Sequence, residues 1–305
     1  MTLRLFVAAL VSMTVLACST GRQSTWEVKP TENAKAEGDT PEALATQGDE
    51  AWKKRDDKAS CEAAIAAWEK AVALKPDDAA TLGKLAHGYY FLADAHLRNG
   101  DKDAYLTTFE KGVSRGEAAL AAANPKFKEH VVAGGKVEEG MQHLTGTPVE
   151  VEAAYWYAAS LGKWARAKGF AVTLGNKDRI RGVMTRVLEL DTEATFGKQG
   201  FFHGAVDRYF GSFYAVAPGF AGGDMEKAKN HFEKSIEKAP YYPGTRVLYA
   251  DTWATKKGDR ALFDKLLAEV IALPDQGPEG TDIAPEIKVE KEKARELQAQ
   301  ASERF

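Results

Sequence analysis

A chain of 305 residues with 44% hydrophobic residues is long enough, and apolar enough, to bury a core of its own. Its formal charge of −3 at pH 7 leaves no basic footprint, which disfavours binding to nucleic acid or anionic lipid. With only Cys18 and Cys61, it carries no disulfide framework, so the core must hold without one.

Residues 1–18 read as a secretory signal: Arg4 precedes a run from Leu5 to Leu16 that is apolar but too short to span a bilayer. The run ends in Val15-Leu16-Ala17-Cys18, which resembles the lipobox of bacterial lipoproteins, whose cysteine is acylated and becomes the new N-terminus. Each buried acyl methylene contributes about 0.8 kcal/mol, so several chains anchor a protein in the membrane without a transmembrane helix. Cys18 is therefore the expected lipidation site. Lipoproteins kept at the inner membrane commonly carry Asp two places after this cysteine. Here Ser19 and Thr20 follow, so the periplasmic face of the outer membrane is expected. Residues 19–40 are rich in Ser, Thr, Lys, Glu and Gly and read as a flexible tether, which as a free coil would span roughly 25 Å.

From residue 41 to 305 one all-α domain of about a dozen helices is expected. Helix-forming stretches alternate with Pro76-Asp77-Asp78, Asn99-Gly100-Asp101, Asn124-Pro125, Gly146-Thr147-Pro148, Gly175-Asn176, Gly222-Gly223-Asp224, Pro240, Gly258-Asp259 and Pro274. Leu82, Leu85, Ala86, Tyr89, Tyr90 and Ala93 show the three- and four-residue spacing of an amphipathic helix. Within this pattern Ala64, Trp68, Ala71 and Pro76 recur as Ala228, Phe232, Ser235 and Pro240 with identical gaps, 164 residues on. That spacing matches the second helix of a tetratricopeptide unit: small residues let paired helices approach, an aromatic fills the space between them, and proline stops the helix. The fold expected is an α-solenoid of such hairpins. Because 164 is not a multiple of 34, the hairpins between the two copies must be irregular.

Three local features single themselves out. Tyr155, Trp156, Tyr157 and Trp164 crowd one helix with aromatics, and Tyr89, Tyr90 and Phe91 form a second cluster; core packing and a ligand wall both fit them. Residues 197–223 combine glycines and aromatics around Asp207-Arg208 and read as an ordered functional loop, in which Tyr209 and Phe210 offer apolar faces and Arg208 a charge for a carboxylate. The six histidines show no metal-ligand spacing and no nucleophile or P-loop motif is present, so neither catalysis, metal nor cofactor is expected. Cys61 reads as a small apolar filler.

The order of several segments resembles the T component of tripartite ATP-independent periplasmic (TRAP) transporters, the TatT family of lipoproteins. The segments are Asp49-Glu50-Ala51-Trp52-Lys53-Lys54-Arg55, the helix through Pro76, Leu85 to Asp94, Ala153 to Trp164, Tyr209-Phe210-Gly211-Ser212 with Pro218 and Gly222-Gly223-Asp224, and the closing helix from Lys288. Lys126 to Gly140 carry no marker of that family. The resemblance implies degenerate tetratricopeptide hairpins, an apolar cleft or channel, a trimer, a hydrophobic or organic-acid ligand, and partnership with a periplasmic solute-binding protein. With the aromatic clusters, it makes Tyr89, Tyr90, Tyr155, Trp156, Arg208, Tyr209 and Phe210 the candidate ligand and partner residues. The competing reading is a tetratricopeptide scaffold lipoprotein for outer-membrane protein assembly or pilus secretion.

Overall fold

The structure, a computed structural model, describes residues 22–27 and 40–305; Cys18 and the signal segment lie outside them. Among the described residues every regular element is helical. The chain opens with α1 (Pro41–Trp52), α2 (Lys58–Leu74) and α3 (Ala79–Phe91), which runs on as a π-helical stretch over Leu92–Leu97. There follow α4 (Lys102–Ala123), α5 (Pro125–Val132), α6 (Val137–Gly140), the long pair α7 (Pro148–Lys168) and α8 (Phe170–Leu190), and the single turn α9 (Glu193–Phe196). The remainder holds α10 (Ala205–Val216), α11 (Met225–Lys238), and α12 (Pro243–Leu248) with a second π-helical stretch over Tyr249–Ala254. It ends in α13 (Thr255–Lys257), α14 (Arg260–Ala272), α15 (Ala284–Ala299) and α16 (Ala301–Arg304). Ten of these helices have twelve residues or more.

Most helix starts are set by the punctuation in the sequence. Asp78, Asp101, Asn124, Thr147, Asp224 and Asp259 each stand at an N-cap, where the side chain accepts from a backbone N–H of the first turn. Thr147 and Glu150 close a full capping box, with Pro148 at the position where no N–H is needed. Gly175-Asn176 departs from expectation, for it lies inside α8. Asn176 there turns its amide to the Val172 carbonyl one helical turn back, and a long helix absorbs the cost of about 1 kcal/mol for one glycine. The break falls instead at Gly169, whose φ of 120° ends α7. Residues 197–223 also differ from the expected loop. Gly197, Gly200 and Gly204 have positive φ and bend the chain ahead of α10, which then runs uninterrupted from Ala205 to Val216. Cys61 sits within α2.

Helices adjacent in the chain pack side by side: α1 with α2, α3 with α4, α7 with α8, α10 with α11; α4 also lies along α7. The 164-residue offset of the sequence motif extends to whole elements. Helix α1 spans Pro41–Trp52 and α10 spans Ala205–Val216; α2 ends at Leu74 and α11 at Lys238; α3 begins at Ala79 and α12 at Pro243. In both sets the motif aromatic is sealed between helices. Trp68 is 1% exposed and faces Gly48 of α1; Phe232 is 0% exposed, faces Gly211 of α10 and stacks on Tyr249 at 4.8 Å. Ala64, Ala71, Ala228 and Ser235 are buried beside them, while Pro76 and Pro240 stand outside the helices they follow. A Cβ at Gly48 would fall on the Trp68 ring, and one at Gly211 would meet Phe232 at 2.7 Å. Glycine is what lets each ring lie flat against the neighbouring helix.

The C-terminal helix ties the two sets together. Fully buried Arg55, after α1, donates from Nε and one Nη to the carboxylate of buried Glu286 in α15 at 2.9 and 2.7 Å, and from its other Nη to Asp282 at 2.9 Å. Lys293 and Glu296 of α15 pair with Asp94, within the first π-helical stretch, and with Arg98, just after it. Within the expected tether, residues 22–27 are held against the body: Arg22 makes a two-pronged contact with Glu117 of α4 at 2.6 and 2.7 Å, and Trp26 meets Phe127 of α5 edge-on.

Candidate functional site

Aromatic side chains from α3, α7, the bend before α10, and the start of α12 converge on one place. His87 of α3 stacks on Trp156 of α7 with ring centroids 3.8 Å apart and planes 7° from parallel. Tyr90, one turn on, lies 5.2 Å from Trp156; Tyr155 meets Trp156 edge-on at 4.9 Å. Phe202 presents its ring to both His87 and Trp156, at 5.1 and 5.0 Å, and to Tyr242 at 5.7 Å. His203 then stacks on Tyr242 at 5.4 Å.

The bend that delivers Phe202 is a constrained piece of backbone. Phe202 and His203 have φ of 39° and 57°, and Gly204 follows at 71°. Two consecutive non-glycine residues in the left-handed region are costly unless their surroundings fix them. Arg208 does so: its guanidinium donates to the carbonyls of His203 and Phe202 at 3.0 and 3.3 Å and lies 4.3 Å over the Tyr242 ring. Arg208 does not pair with its neighbour Asp207, which accepts from His231 and Lys238 on the other side of α10. The positive charge of Arg208 thus stands inside the aromatic cluster, 6% exposed and close enough to Tyr155 to oppose the effect of burial on its hydroxyl.

A charged network borders the cluster. Asp94, on the π-helical stretch, receives Lys163 of α7 and Lys293 of α15 at 2.6 Å each, and Lys293 also reaches Glu290 at 2.7 Å. Burial alone would raise the Asp94 pKa; the two ammonium groups outweigh it and hold the carboxyl well below its ordinary range. Lys163 lies 6.0 Å over the Tyr90 ring. The π-helical winding matters here, because an extra residue per turn re-aims the side chains that follow.

The titratable rings are neutral at physiological pH. Burial, with Arg55 adding, holds His87 well below the usual imidazole value, and burial with Arg208 brings His203 down to about 4. Burial pushes the Tyr90, Tyr155 and Tyr242 hydroxyls up, so they stay protonated. The outcome is an uncharged aromatic wall with cations at two sides. His87, Tyr90 and Phe202 are half-buried rather than sealed.

Of the residues singled out in the sequence, Tyr90, Tyr155, Trp156 and Arg208 meet here. Tyr209 lies next to them, near enough to Tyr155 to interact electrostatically. Tyr89 and Phe210 do not join them. Each is one residue round the helix from a neighbour of the site and so points about 100° away. The Tyr89 hydroxyl donates to Glu69 at 2.8 Å, and Phe210 stacks on His231 and Tyr214. Sequence reasoning missed His87, Phe202, His203 and Tyr242. The only local signal for the middle two is Gly200-Phe201-Phe202-His203-Gly204, two aromatics and a histidine between glycines. Cys61 takes no part; it is fully buried, and burial pushes its thiol up to about 12. Among the described residues no group of His, Cys, Asp and Glu has metal-ligand geometry.

The profile of the TRAP transporter T-component family matches residues 95–305, which takes in α4 to α16 and with them Tyr155, Trp156, Phe202, Arg208 and Tyr242. The chain is also 27% identical over 170 residues to an uncharacterized protein of Treponema pallidum (strain Nichols). That alignment covers 55% of this chain and 51% of the relative, so the chain spans about half the length of the curated protein it matches. A helical chain matched to that family over more than two thirds of its length belongs to the family of TRAP transporter T-components.

Proposed function

We propose that this protein is a lipoprotein accessory of a TRAP transporter, acylated at Cys18, that holds an apolar-bodied organic acid at the aromatic cluster and exchanges it with a periplasmic solute-binding protein. The carrying observation is the stack of neutral His87 on Trp156 beside Arg208 and Lys163: flat apolar faces with two fixed cations suit a ligand with a hydrophobic body and an anionic head. A site of this kind needs no chemistry from the protein beyond binding. The family is one of transport components, which supports the same reading. In this proposal the two sets of hairpins are degenerate tetratricopeptide units curved round the site. The folded part faces the periplasm, preferably from the outer membrane, and a homotrimer is the working assembly.

The test uses Trp156→Ala and Lys163→Ala. Both are expected to keep the parental circular dichroism spectrum while losing the ligand seen with the parent by native mass spectrometry, and to capture less of the cognate solute-binding protein. Folded variants with parental ligand load place the site elsewhere. Separately, Cys18→Ser is expected to release the protein from membranes with its helicity intact; unchanged membrane fractionation and no acyl mass on Cys18 would count against acylation.

A further inference from the structure

The segment at residues 22–27 and the start of α8 together say how the molecule meets a bilayer. Glu117 is fully buried in α4, and the hydrogen bonds to its carboxylate come from this segment: Arg22 at 2.6 and 2.7 Å and the Thr25 N–H at 2.8 Å. Arg22 reaches Ser114 at 2.7 Å as well. A buried carboxylate without these donors would cost several kcal/mol, so the segment is part of the fold.

The segment also has a direction. From Glu27 back to Arg22 its partners are Lys128, Phe127, Glu117 and Ser114, in descending order along α5 and α4. From Glu27 to Arg22 the segment therefore runs toward the N-terminal end of α4. Helix α4 is antiparallel to α7, since Gly112 faces Ser160 and Gly116 faces Tyr157. The N-terminal end of α4 thus lies beside the end of α7 and the start of α8. On that start Phe170 is 62% exposed and Leu174 40%, one turn apart on one face, with Arg166 and Lys168 exposed just before them. Ser24 and Trp26 share a depression of about 410 Å³ with Gly175, Asp178 and Arg179 of α8, which puts the segment and this helix side by side.

We propose that the start of α8, with Phe170 and Leu174 dipping among the lipid headgroups, is the face laid against the membrane, and that Arg22 and Glu117 fix it there. The proposal rests on the reading that Cys18 is acylated. Four residues separate Cys18 from Arg22, and such a stretch spans at most about 14 Å when fully extended. An anchor that short cannot let the body turn freely; it selects the face beside it. Two exposed apolar side chains flanked by cations match a shallow interfacial contact, and the acyl chains supply the affinity.

The experiment places a single environment-sensitive nitrobenzoxadiazole probe at Phe170→Cys, at Leu174→Cys and, as the distant control, at Phe220→Cys, which is 79% exposed after α10. Cys61 is buried and Cys18 is acylated under the stated reading, so the introduced thiol takes the label. Full-length acylated protein is bound to phosphatidylethanolamine–phosphatidylglycerol vesicles and isolated by flotation. Probes at residues 170 and 174 are expected to shift to the blue and be quenched by brominated acyl chains, with the probe at 220 unchanged. Arg22→Gln is expected to leave flotation intact but return the probe at 170 to the value at 220. If that variant does not fold by circular dichroism, Arg22→Gln with Glu117→Gln, which leaves no unpaired buried charge, replaces it. Flotation with equal emission at all three sites overturns the face while leaving acylation standing. Failure of the parent to float overturns acylation and this proposal with it. Blue shifts at 170 and 174 without vesicles assign the patch to a second copy of the chain and overturn the membrane contact.

Discussion

The helices from α1 to α4 and those from α10 to α14 are built to one plan and put to different use. Each set opens with a helix bearing a glycine, packs an aromatic from the next helix onto it, and continues into a third helix with a π-helical stretch. In the first set the ring is Trp68, whose Nε1–H donates to Asp49 at 3.1 Å, and the third helix turns His87 and Tyr90 toward the aromatic cluster. In the second the ring is Phe232, with no polar atom to satisfy, stacked on Tyr249 within an apolar core made with α14 and α15. Equal helix phasing thus fixes how the hairpins pack, while the third helix of the first set turns His87 and Tyr90 to the site and that of the second reaches it only with Tyr242 at its N-cap.

The comparison is most directly broken at the two rings. Trp68→Ala and Phe232→Ala each remove a fully buried aromatic and are expected to cost about 3–5 kcal/mol in chemical denaturation. The first also takes one donor from Asp49, which keeps Lys84 as its partner at 2.7 Å and so loses little more. Comparable losses at both sites match equivalent positions; a loss under 1 kcal/mol at either, read against the range for buried rings, removes that residue from the inter-helix contact.

The glycines opposite the rings give a smaller and more discriminating effect. Gly48→Ala and Gly211→Ala press a methyl into a ring that has no room to retreat, with an expected cost of about 1–3 kcal/mol from overpacking, partly offset by the better helix propensity of alanine. Pairing Gly48→Ala with Trp68→Leu should relieve the first cost. A double-mutant cycle that shows no coupling would mean the helices move apart instead.

How far this was legible from sequence follows from how local each signal is. The caps at Asp78, Asp101, Asn124, Thr147, Asp224 and Asp259 involve residues two or three apart, and the Ala64 and Ala228 motifs each span one helix and the proline that follows it, so composition and spacing expose them. The aromatic cluster draws His87, Trp156, Phe202 and Tyr242 from four separate elements, and a lone histidine or tyrosine carries no mark of the partner it will stack on. Arg208 was visible as a charge among aromatics, but its use as a clasp on the carbonyls of Phe202 and His203 depends on a left-handed bend that glycines at 200 and 204 only hint at. Residues 22–27 read as tether because they are polar. Their hold on the body comes from one guanidinium meeting a carboxylate 95 residues away.

The smallest expected effect separates the two sets by pH. Glu152 of α7 lies against Gly83 of α3, and burial raises its carboxyl to about 6, only partly opposed by Lys84. The folded state therefore favours its protonated form. That contribution is fully present below the unfolded value near 4.5 and is lost as pH rises through 6. His203, at the bend leading into the second set, behaves the other way. Its folded value of about 4 lies below the ordinary 6.5, so its contribution is intact above 6.5 and is lost as pH falls through 4. Glu152→Gln should accordingly raise stability at pH 7–8, by no more than about 2 kcal/mol, the equivalent of the shift, and change little below pH 4.5. His203→Phe, which keeps a ring against Tyr242 but gives up the hydrogen bond to Tyr241, should flatten the fall in stability between pH 6.5 and 4. Denaturation midpoints measured from pH 4 to 8 decide both. If Glu152→Gln gains as much at pH 4.5 as at pH 8, the carboxyl is already ionised in the fold at low pH, and its charge does not oppose the packing of α7 on the first set.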